Sequence, residues 1–577
     1  MPEAGQPGAV APSSRPVPAG SGGTGGMGGS AGADQAGTPG TQRRARGRGR
    51  TWVLGVPLFV LAVVALWFCY LRVSRTQRVE SDGASIALQG WDVLHGNLLL
   101  HGWTVPDVLF YTVETPEFLI VEAIRGLNAD ALHVVAALNY ALLVVLAAVL
   151  ARGRTTGREA VVRMLIAAGI MLAPEPGPGV FIVLFQPDHL ATQIPVLLCW
   201  LLLEWMPRRW YTPVVIGVLL TWTAVGDQVV WFTGVIPLIV VYGVRVVQAW
   251  RRLGWRPAAL RTAWFELSLV AAALGSAVLA EVVVKLIHAL GGYTMLPLPT
   301  GASPIGQLPW HIRLTADGVL GVFGANFQGP PTGWDLVFAV LHLVGVALVF
   351  WAVLLTLWRF FRCDDVISQI LTVAIIINIA AYLFSVRATV YWSVREIAGI
   401  LPFGAVLAGR VLARHLLADG RPAARFRRVL ASALVVVLAG YVAALGYAMT
   451  KPPAPAVTQD LAGWLKAHGL TYGLSHYGLA NVTTMASGGG VAVRPVLAEH
   501  ARIAPGPHEY NVSWYDPRTH DATFVVLLAK PDALDPMTRA QAVAAFGPPE
   551  HEYRYREYLI MTWDKNLLSD LAPPAPS

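Results

Sequence analysis

Long apolar runs dominate the pattern of the sequence between Thr51 and Met449. Eleven stretches carry few charged residues, and most approach the roughly 20 residues that a helix needs to cross a hydrocarbon core about 30 Å thick. We therefore predict an all-α polytopic membrane domain with about eleven transmembrane helices. They are placed at Thr51–Val73, Ala131–Ala151, Ala160–Pro174, Leu190–Met206, Pro213–Val225, Val229–Val247, Trp264–Leu290, Leu336–Leu357, Val366–Ser385, Ile397–Leu412 and Val429–Met449.

The two ends of the chain have a different pattern. Residues 1–50 are rich in Gly, Pro, Ala and Ser with almost no large apolar side chains, so they cannot bury a core and are predicted to be disordered. After Lys451, β-branched and aromatic runs such as ATFVVLLA and EYLIMTW are typical of strands, and DLAGWLKAHGL has a helical period. Three regions follow: a tail over 1–50, a membrane domain over 51–449 and a small α/β domain over 450–577.

Charge decides the predicted orientation. The run RRARGRGR precedes the first helix, and every second loop after it is rich in Arg, whereas the long loops with carboxylates fall on the opposite side. Cytoplasmic loops carry such an excess of Arg and Lys. We expect a multi-pass protein of the plasma membrane with a cytoplasmic N-terminus and an extracytoplasmic C-terminal domain. The net charge of +8 is then topological and does not indicate a nucleic-acid partner.

Composition excludes several classes of protein. With 55% hydrophobic and 14% charged residues, the chain is too apolar for a soluble globule. Its three cysteines, Cys69, Cys199 and Cys363, lie in or beside apolar segments without metal-ligand spacing, which argues against a disulfide framework or a zinc site. The sequence contains no Walker-type phosphate loop, no GxSxG elbow and no HExxH motif.

The first outer loop, Arg78–Asp130, is long, acidic and aromatic, unlike a plain connector between helices. Asp82 stands in it a few residues after the first helix, at the start of a stretch whose apolar spacing predicts a helix along the membrane surface. A carboxylate at such an interface can act as a general base towards a hydroxyl group. The alternative is that Asp82 only caps this helix, as Asp often does.

Two later outer loops carry further candidates. FQPDHL places Asp188 and His189 where the fourth helix begins, and such a pair can bind a divalent cation or orient a base. An N-cap role for Asp188 is the alternative. The short turn GDQ places Asp227 on the same side, where it is either part of a site or an ordinary turn residue.

The seventh helix carries Glu281, Lys285 and His288 at helical spacing, so they share one face. Ionisable groups in a membrane are costly and either pair with one another or line a polar cavity. A Glu281–Lys285 pair is the simpler alternative. In the long loop that follows, Gly291–Asp335, His311 belongs to the run LPWHIRL and is a candidate contact of a lid over the site.

Arg387 and Arg395 are predicted at the outer ends of the ninth and tenth helices, against the positive-inside trend. Arginine suits bidentate capture of a phosphate at a membrane interface. An ion pair with Glu396 or a contact with a lipid headgroup is the alternative.

These features resemble the GT-C superfamily of polyprenyl-phosphate-sugar-dependent glycosyltransferases, particularly its protein-mannosyltransferase-like members in actinobacteria. The resemblance covers roughly Arg50 to the C-terminus. It is carried by Asp82 in ESDGASIALQGWDVLHGN, by the Asp188–His189 pair and by the long outer loop after the seventh helix. Two further segments carry it: REIAGILPFGAVLAGR at the tenth helix and GLSHYGLANVTTMASGG in the C-terminal domain.

The resemblance implies residue roles. Asp82 would be the catalytic base, Asp188 with His189 would assist or hold a metal, and Arg395 would contact the lipid phosphate. Asp82 and Asp188 could together hold a divalent cation such as Mg²⁺ or Mn²⁺. Gly83 follows Asp82 where many members have a paired Asp-Glu, so the identity of the acceptor does not transfer.

The predicted activity is the transfer of a hexose or pentose from a polyprenyl-phosphate donor to an extracytoplasmic glycan, lipid or protein, with inversion. A transporter or flippase for lipid or polysaccharide is the second hypothesis, because it too needs intramembrane ionisable residues. The sequence has no inverted repeat that would favour it. A non-catalytic membrane scaffold is the third hypothesis, and it gives the first outer loop no reason to be acidic.

Overall fold

The computed structural model describes residues 39–106, 108–185, 189–254, 261–296, 299–328, 331, 333–417, 424–499, 502–506, 508–530 and 537–573. The predicted tail therefore lies largely outside the described residues. The chain divides into two compact units, Met1–Pro57 and Leu58–Ser577. The first unit contributes only the beginning of helix α1 (Pro39–Ser74).

Helices form most of the membrane domain. After α1 they are α2 (Ser81–Leu94), α3 (Thr115–Arg125), α4 (Asp130–Arg152), α5 (Gly157–Met171), α6 (Pro178–Val180), α7 (Gln193–Trp205), α8 (Tyr211–Gly226), α9 (Ile236–Leu253), α10 (Trp264–Ala289), α11 (Leu308–Val322), α12 (Trp334–Trp358), α13 (Val366–Phe384), α14 (Ile400–Leu417) and α15 (Ala424–Thr450). A short π-helical turn at Phe181–Phe185 follows α6, and a second one at Trp231–Val235 precedes α9.

Within the described residues, eight helices are long and apolar enough to cross a membrane. The three remaining predicted spans correspond to α5, α7 and α8, which have only 15, 13 and 16 residues. Two of them end at a local signal in the sequence: α7 stops before Pro207 and α8 stops before the turn residue Asp227. The predicted fold class, a polytopic helical protein with a small C-terminal α/β domain, is confirmed.

The C-terminal domain is built on a six-stranded mixed sheet with the order β5-β4-β3-β7-β9-β8. Strand β3 pairs in parallel with both β4 and β7, and the outer pairs are antiparallel. The strands are β3 (Tyr472–Ser475), β4 (Ala492–Glu499), β5 (Arg502–Pro505), β7 (Phe524–Leu528), β8 (His551–Tyr555) and β9 (Tyr558–Thr562). The helices are α16 (Val457–Ala467), α17 (Tyr477–Ala486) and α18 (Arg539–Phe546).

A small three-stranded sheet ties this domain to the membrane domain. Strand β1 (Trp103–Val105) comes from the first long loop, β2 (Thr294–Met295) follows α10, and β6 (Tyr510–Asn511) belongs to the C-terminal domain. Thr104 is paired on one side with Thr294 and on the other with Tyr510. Main-chain hydrogen bonds thus fix three distant segments in register at the end of the helix bundle that carries the C-terminal domain, called the domain end below.

A buried charge network lies elsewhere in the helix bundle. Arg410 on α14 donates hydrogen bonds to Glu204 on α7 at 2.8 Å and to Asp365, which caps the start of α13, at 2.8 Å. The Arg410 side chain is only 4% exposed. Arg410 therefore joins three helices through charges that cannot be solvated by water if one partner is lost.

We predict that Arg410→Ala destabilises the protein by about 3 to 5 kcal/mol, because it removes the main counter-charge of two largely buried carboxylates, Glu204 and Asp365. Thermal unfolding of the detergent-solubilised protein measures the change. Arg518→Ala is the matched control: its side chain is 87% exposed and pairs with Asp516, so this variant should unfold close to the wild-type temperature. Equal melting temperatures for wild type and Arg410→Ala would show that the network contributes nothing to stability.

Candidate functional site

Asp82 and Arg395 form an ion pair at the domain end. Asp82 lies in the first turn of α2, and Arg395 lies in a short 3₁₀-helix, Tyr391–Ile397, that leads into α14. The Arg395 guanidinium donates to Asp82 Oδ2 at 2.8 Å. Both side chains are about 30% exposed, so the pair is open on one side and packed on the other.

The C-terminal domain supplies the other neighbours of Asp82. The hydroxyl of Tyr477, the first residue of α17, donates to Asp82 Oδ1 at 2.9 Å and also bonds to Glu509 Oε2. The ring of His508 lies 4.7 Å from the ring of Tyr477, centre to centre. Asp82, Arg395, Tyr477, His508 and Glu509 are called the Asp82 cluster below.

Hydrogen bonds from α2 hold α17 in place beside this cluster. Ser81 donates its hydroxyl to the carbonyl of Tyr477. The amide of Asn481 donates to Ser85 Oγ at 2.8 Å and to the Glu509 carbonyl at 3.0 Å. Since these groups are buried, each bond removes a polar group that would otherwise be costly to bury. The position of Tyr477 relative to Asp82 is therefore fixed from both sides.

Opposing effects act on the acidity of Asp82. Burial alone would raise the pKa of its carboxyl group, but the charge and hydrogen bond of Arg395 outweigh it, helped by the Tyr477 hydroxyl and His508. The pKa of Asp82 is accordingly below its ordinary value, and the carboxylate is ionised at neutral pH. Burial, reinforced by Asp82 and Glu509, raises the pKa of Tyr477 well above its ordinary value, so the phenol keeps its proton.

Helix capping does not explain Asp82. The N-cap of α2 is Glu80, which makes no side-chain capping bond, and Asp82 stands inside the first turn. Its two oxygens accept hydrogen bonds from Arg395 and Tyr477 instead. The remainder of α2 is largely buried rather than lying free along a surface, because α3 and α17 pack against it.

Much of the acidity of the first long loop is also buried. Burial raises the pKa of Glu117 to about 8, against a weaker opposing effect of Asn139, and burial raises that of Glu122 to about 9. Both groups are on α3, which packs against α2 and α4. They are therefore largely uncharged at neutral pH, and Asp82 is the carboxylate of this loop that faces the cluster.

A second cluster surrounds Asp227. His189 Nδ1 lies 2.9 Å from Asp227 Oδ2, the Thr192 hydroxyl donates to the same oxygen at 2.6 Å, and the Val229 amide donates to Oδ1 at 2.8 Å. Because a carboxylate only accepts, Nδ1 carries the proton and Nε2 is the basic nitrogen. Burial alone raises the pKa of Asp227, but His189 and the hydrogen bonds outweigh it and place the pKa below its ordinary value.

His189 also has an unusual backbone conformation. Its φ is +56°, which non-glycine residues rarely adopt and which positions its ring against that of Phe110. The neighbouring candidate Asp188 lies outside the described residues. The sequence pattern thus located a histidine of a built polar cluster, and the structure adds that its partner is Asp227.

Of the other predicted site residues, Arg387 and His311 contact residues that are not members of these clusters. Arg387 Nε is 3.7 Å from Glu396 Oε1, which is the ion pair considered as its alternative role. Glu281 and Lys285 are exposed on α10, and no ion pair joins them in the part of the chain that the structure describes. His311 is buried on α11, with Nδ1 at 3.0 Å from the Leu383 carbonyl.

Three residues of the Asp82 cluster were not singled out from the sequence. Tyr477 belongs to the run GLSHYGLAN, which carried part of the resemblance without a role for any residue in it. Nothing in the local pattern around His508 and Glu509 distinguishes them from ordinary surface residues. Their place depends on strand β6, which follows Glu509 and pairs with β1 of the first long loop.

A resident metal ion does not fit the residues around Asp82. In the described ranges, no three His, Cys, Asp or Glu side chains are grouped so that they could hold a metal ion. A guanidinium already stands at Oδ2 of Asp82, where a cation would bind, and Oδ1 is bonded to a phenol. Asp188, the other predicted ligand, lies outside the described residues.

The fold and the cluster together define a polytopic helical protein with a charged site at its domain end. The chain is similar to the crystal structure of ArnT from Cupriavidus metallidurans bound to undecaprenyl phosphate, with a TM-score of 0.48, 15% identity and coverage of 90% of this chain and 99% of that chain. It is also similar to the Archaeoglobus fulgidus oligosaccharyltransferase in the apo form, with a TM-score of 0.40, 13% identity and coverage of 82% and 69%.

The structure of the same oligosaccharyltransferase in complex with Zn and sulfate has a TM-score of 0.41 and 14% identity, with coverage of 75% of this chain and 62% of that chain. No family model and no curated protein matches the chain. Since likeness at this level does not decide an activity, the function is argued from the site itself.

We predict that Arg395→Gln makes stability depend on pH in a defined direction. Without the guanidinium, burial dominates and raises the pKa of Asp82 above its unfolded value of about 3.9. The variant should therefore have a lower melting temperature than wild type at pH 7. This difference should become smaller as the pH falls from about 6 to 4, because protonation of Asp82 then removes the buried charge. Melting temperatures of both solubilised proteins at pH 7 and at pH 4 measure the difference.

The control for this prediction is Arg78→Gln. Arg78 also lies at the domain end, but its side chain is 62% exposed and its partner Glu557 is 3.9 Å away. Such exposed ion pairs contribute little to stability, so Arg78→Gln should have nearly the melting temperature of wild type at pH 7 and at pH 4. A gap for Arg395→Gln that is the same at pH 7 and pH 4 would contradict the assignment of this ion pair.

Proposed function

We propose that this protein is a membrane glycosyltransferase that moves a sugar from a polyprenyl-phosphate donor to an extracytoplasmic acceptor. The observation that carries the proposal is the Asp82–Arg395 pair: an ionised carboxylate and a guanidinium held together, partly exposed, at the domain end of an apolar helix bundle. A lipid-linked donor keeps its chain in the bilayer and its phosphate at the interface, where these two charges would meet it. No nucleotide site is needed.

In the proposed reaction Arg395 exchanges partners. When the donor binds, its phosphate competes with Asp82 for the guanidinium, which suits bidentate phosphate binding. Asp82 then loses the main interaction that lowers its pKa and becomes a better base. The arrival of the donor would thereby activate the carboxylate that has to remove a proton from the acceptor.

Chemistry then follows in one displacement. Asp82 accepts the proton of the acceptor hydroxyl while its oxygen bonds to the anomeric carbon. The bond from that carbon to the phosphate breaks, the phosphate leaves with the electron pair, and Arg395 stabilises the charge that develops on it. Attack opposite the leaving group inverts the anomeric centre. In this proposal the transferred sugar is a hexose or a pentose, and the acceptor is a glycan, a lipid or a protein.

We further propose that His189 assists from the second cluster. Asp227 fixes its ring orientation and its tautomer, as a carboxylate does for a histidine that must present one nitrogen. In this proposal the ring of His189 contacts a hydroxyl of the bound sugar or the phosphate. Arg387 and Lys285 stay candidates for donor contacts, and Glu281 and His311 stay candidates without an assigned step.

A metal ion has no step in this proposal. Mg²⁺ or Mn²⁺ would require Asp188 together with other ligands, and the described surroundings of Asp82 do not provide them. The charge of the leaving phosphate is assigned to Arg395 instead. The protein's location would be the plasma membrane, with the N-terminus in the cytoplasm and the C-terminal domain outside.

We expect Asp82→Asn to lower sugar transfer by at least about a hundredfold, because an amide cannot accept the acceptor's proton. The assay combines solubilised protein with radiolabelled polyprenyl-phosphate hexose or pentose and an extract of the cell envelope as acceptor. Asp460→Asn is the control: Asp460 is an exposed acid of the C-terminal domain that pairs with Arg556. Wild-type rates in Asp82→Asn would exclude Asp82 as the base, and lipid movement without transfer would favour the flippase hypothesis.

Arg395→Lys is predicted to separate binding from folding. Lysine keeps the positive charge beside Asp82 but loses the two-pronged donor geometry that matches phosphate. We expect the donor KM to rise and kcat to fall, with little change in the melting temperature. The matched control Arg78→Lys should leave both constants unchanged. Unaltered kinetics in Arg395→Lys would mean that Arg395 serves only to pair with Asp82.

A further inference from the structure

The phenol of Tyr477 lies between two carboxyl groups, those of Asp82 and Glu509. A phenol carries one proton and can donate to only one acceptor at a time. It can therefore bond to Asp82 and to Glu509 in alternation, and its oxygen can accept a proton from one carboxyl group while its own proton passes to the other.

Arg395 fixes the resting charge of Asp82. Its guanidinium donates to Asp82 Oδ2 and thus stabilises Asp82 as the anion. The Tyr477 hydroxyl bonds to the other oxygen of Asp82 and also to Glu509, which is only 6% exposed. Between turnovers the phenol thus joins the ionised Asp82 to Glu509.

The backbone at Glu509 supports a specific role for this side chain. Its φ is +55°, a conformation that non-glycine residues seldom adopt and that often marks functional positions. The Asn481 amide holds the Glu509 carbonyl at 3.0 Å and is itself bonded to Ser85 of α2. Strand β6, which begins at the next residue, is paired with the first long loop. Contacts from two directions thus keep Glu509 beside Tyr477.

We propose that the C-terminal domain completes the active site, with Tyr477 and Glu509 forming a route by which the proton taken up by Asp82 leaves. This inference rests on the proposed glycosyl transfer. After transfer Asp82 holds the acceptor's proton. Asp82 passes this proton to the phenolic oxygen while Tyr477 passes its own proton to Glu509, and Glu509 then releases a proton to solvent.

The cycle balances without a further reactant. One proton enters from the acceptor hydroxyl, one proton leaves from Glu509, and the three groups return to the resting arrangement. No electron is exchanged. Tyr477 acts here as a positioning and relaying residue, since it touches Asp82 and not the reacting carbon.

Glu509→Gln and Tyr477→Phe test the route in the full-length protein, with the same radiolabelled donors and envelope extract. Glutamine can still bond to Tyr477 but cannot accept its proton, so kcat should fall by about tenfold or more while the donor KM stays constant. Tyr477→Phe removes a hydrogen bond that stabilises the Asp82 anion, so the acidic limb of its pH profile should move to higher pH.

Tyr472→Phe is the matched control. Its hydroxyl donates to the Trp514 carbonyl at 2.6 Å and accepts from Arg494 Nε at 3.3 Å, and neither partner belongs to the Asp82 cluster. The kcat and the pH profile of this variant should therefore stay those of wild type. Formate should partly restore kcat to Glu509→Ala, because it supplies a small carboxylate in the space left by the side chain.

Unchanged kcat in Glu509→Gln would overturn the proton route. So would a loss of activity that formate does not restore and that comes with a lower melting temperature, since that result marks a structural residue. Absence of transfer by the wild-type protein with both donors would instead refute the proposed function, and the inference with it. Failure of the proposed function can be told from failure of the proton route, because the first is seen with the wild-type protein and the second only with the variants.

Discussion

Arg395 and Asp82 are 313 residues apart in the sequence, yet their side chains meet at 2.8 Å in a place where burial alone would disfavour both charges. Each charge is tolerated there because the other is present. This mutual dependence links the first turn of α2 to the 3₁₀-helix before α14. It also keeps Asp82 ionised but restrained until a competing anion, which we propose is the donor phosphate, takes Arg395 away.

The need to satisfy the buried carboxylate of Asp82 also explains why the C-terminal domain lies so close to the membrane domain. Tyr477 satisfies the oxygen of Asp82 that Arg395 does not bind, and Asn481 and Ser81 fasten α17 to α2. The three-stranded sheet then carries main-chain pairing from the first long loop to Tyr510. A domain joined in this way is expected to be part of the site, in contrast to a domain tethered only by its linker.

Charges are used differently in the rest of the molecule. Arg410, Glu204 and Asp365 form a buried network that joins helices, and its geometry leaves no side of Arg410 open to a ligand. His189 and Asp227 form a compact pair whose ring orientation is fixed. Glu117 and Glu122 are largely protonated and uncharged at neutral pH, because burial raises the pKa of Glu117 to about 8 and that of Glu122 to about 9. The partly exposed Asp82–Arg395 pair is the one we assign to catalysis.

The sequence by itself determined the helical membrane domain, the α/β character of the C-terminal region, and Asp82, His189, Asp227 and Arg395 as residues worth attention. Apolar run length and local periodicity are properties of neighbouring residues, so they can be read along the chain. Only the tertiary structure showed that Arg395 pairs with Asp82 and that Asp227 pairs with His189. It also showed that Tyr477 and Glu509 lie beside Asp82. Arg395 is 313 residues from Asp82, and Asp227 is 38 residues from His189, so these contacts arise from packing and strand register, and no local pattern encodes them.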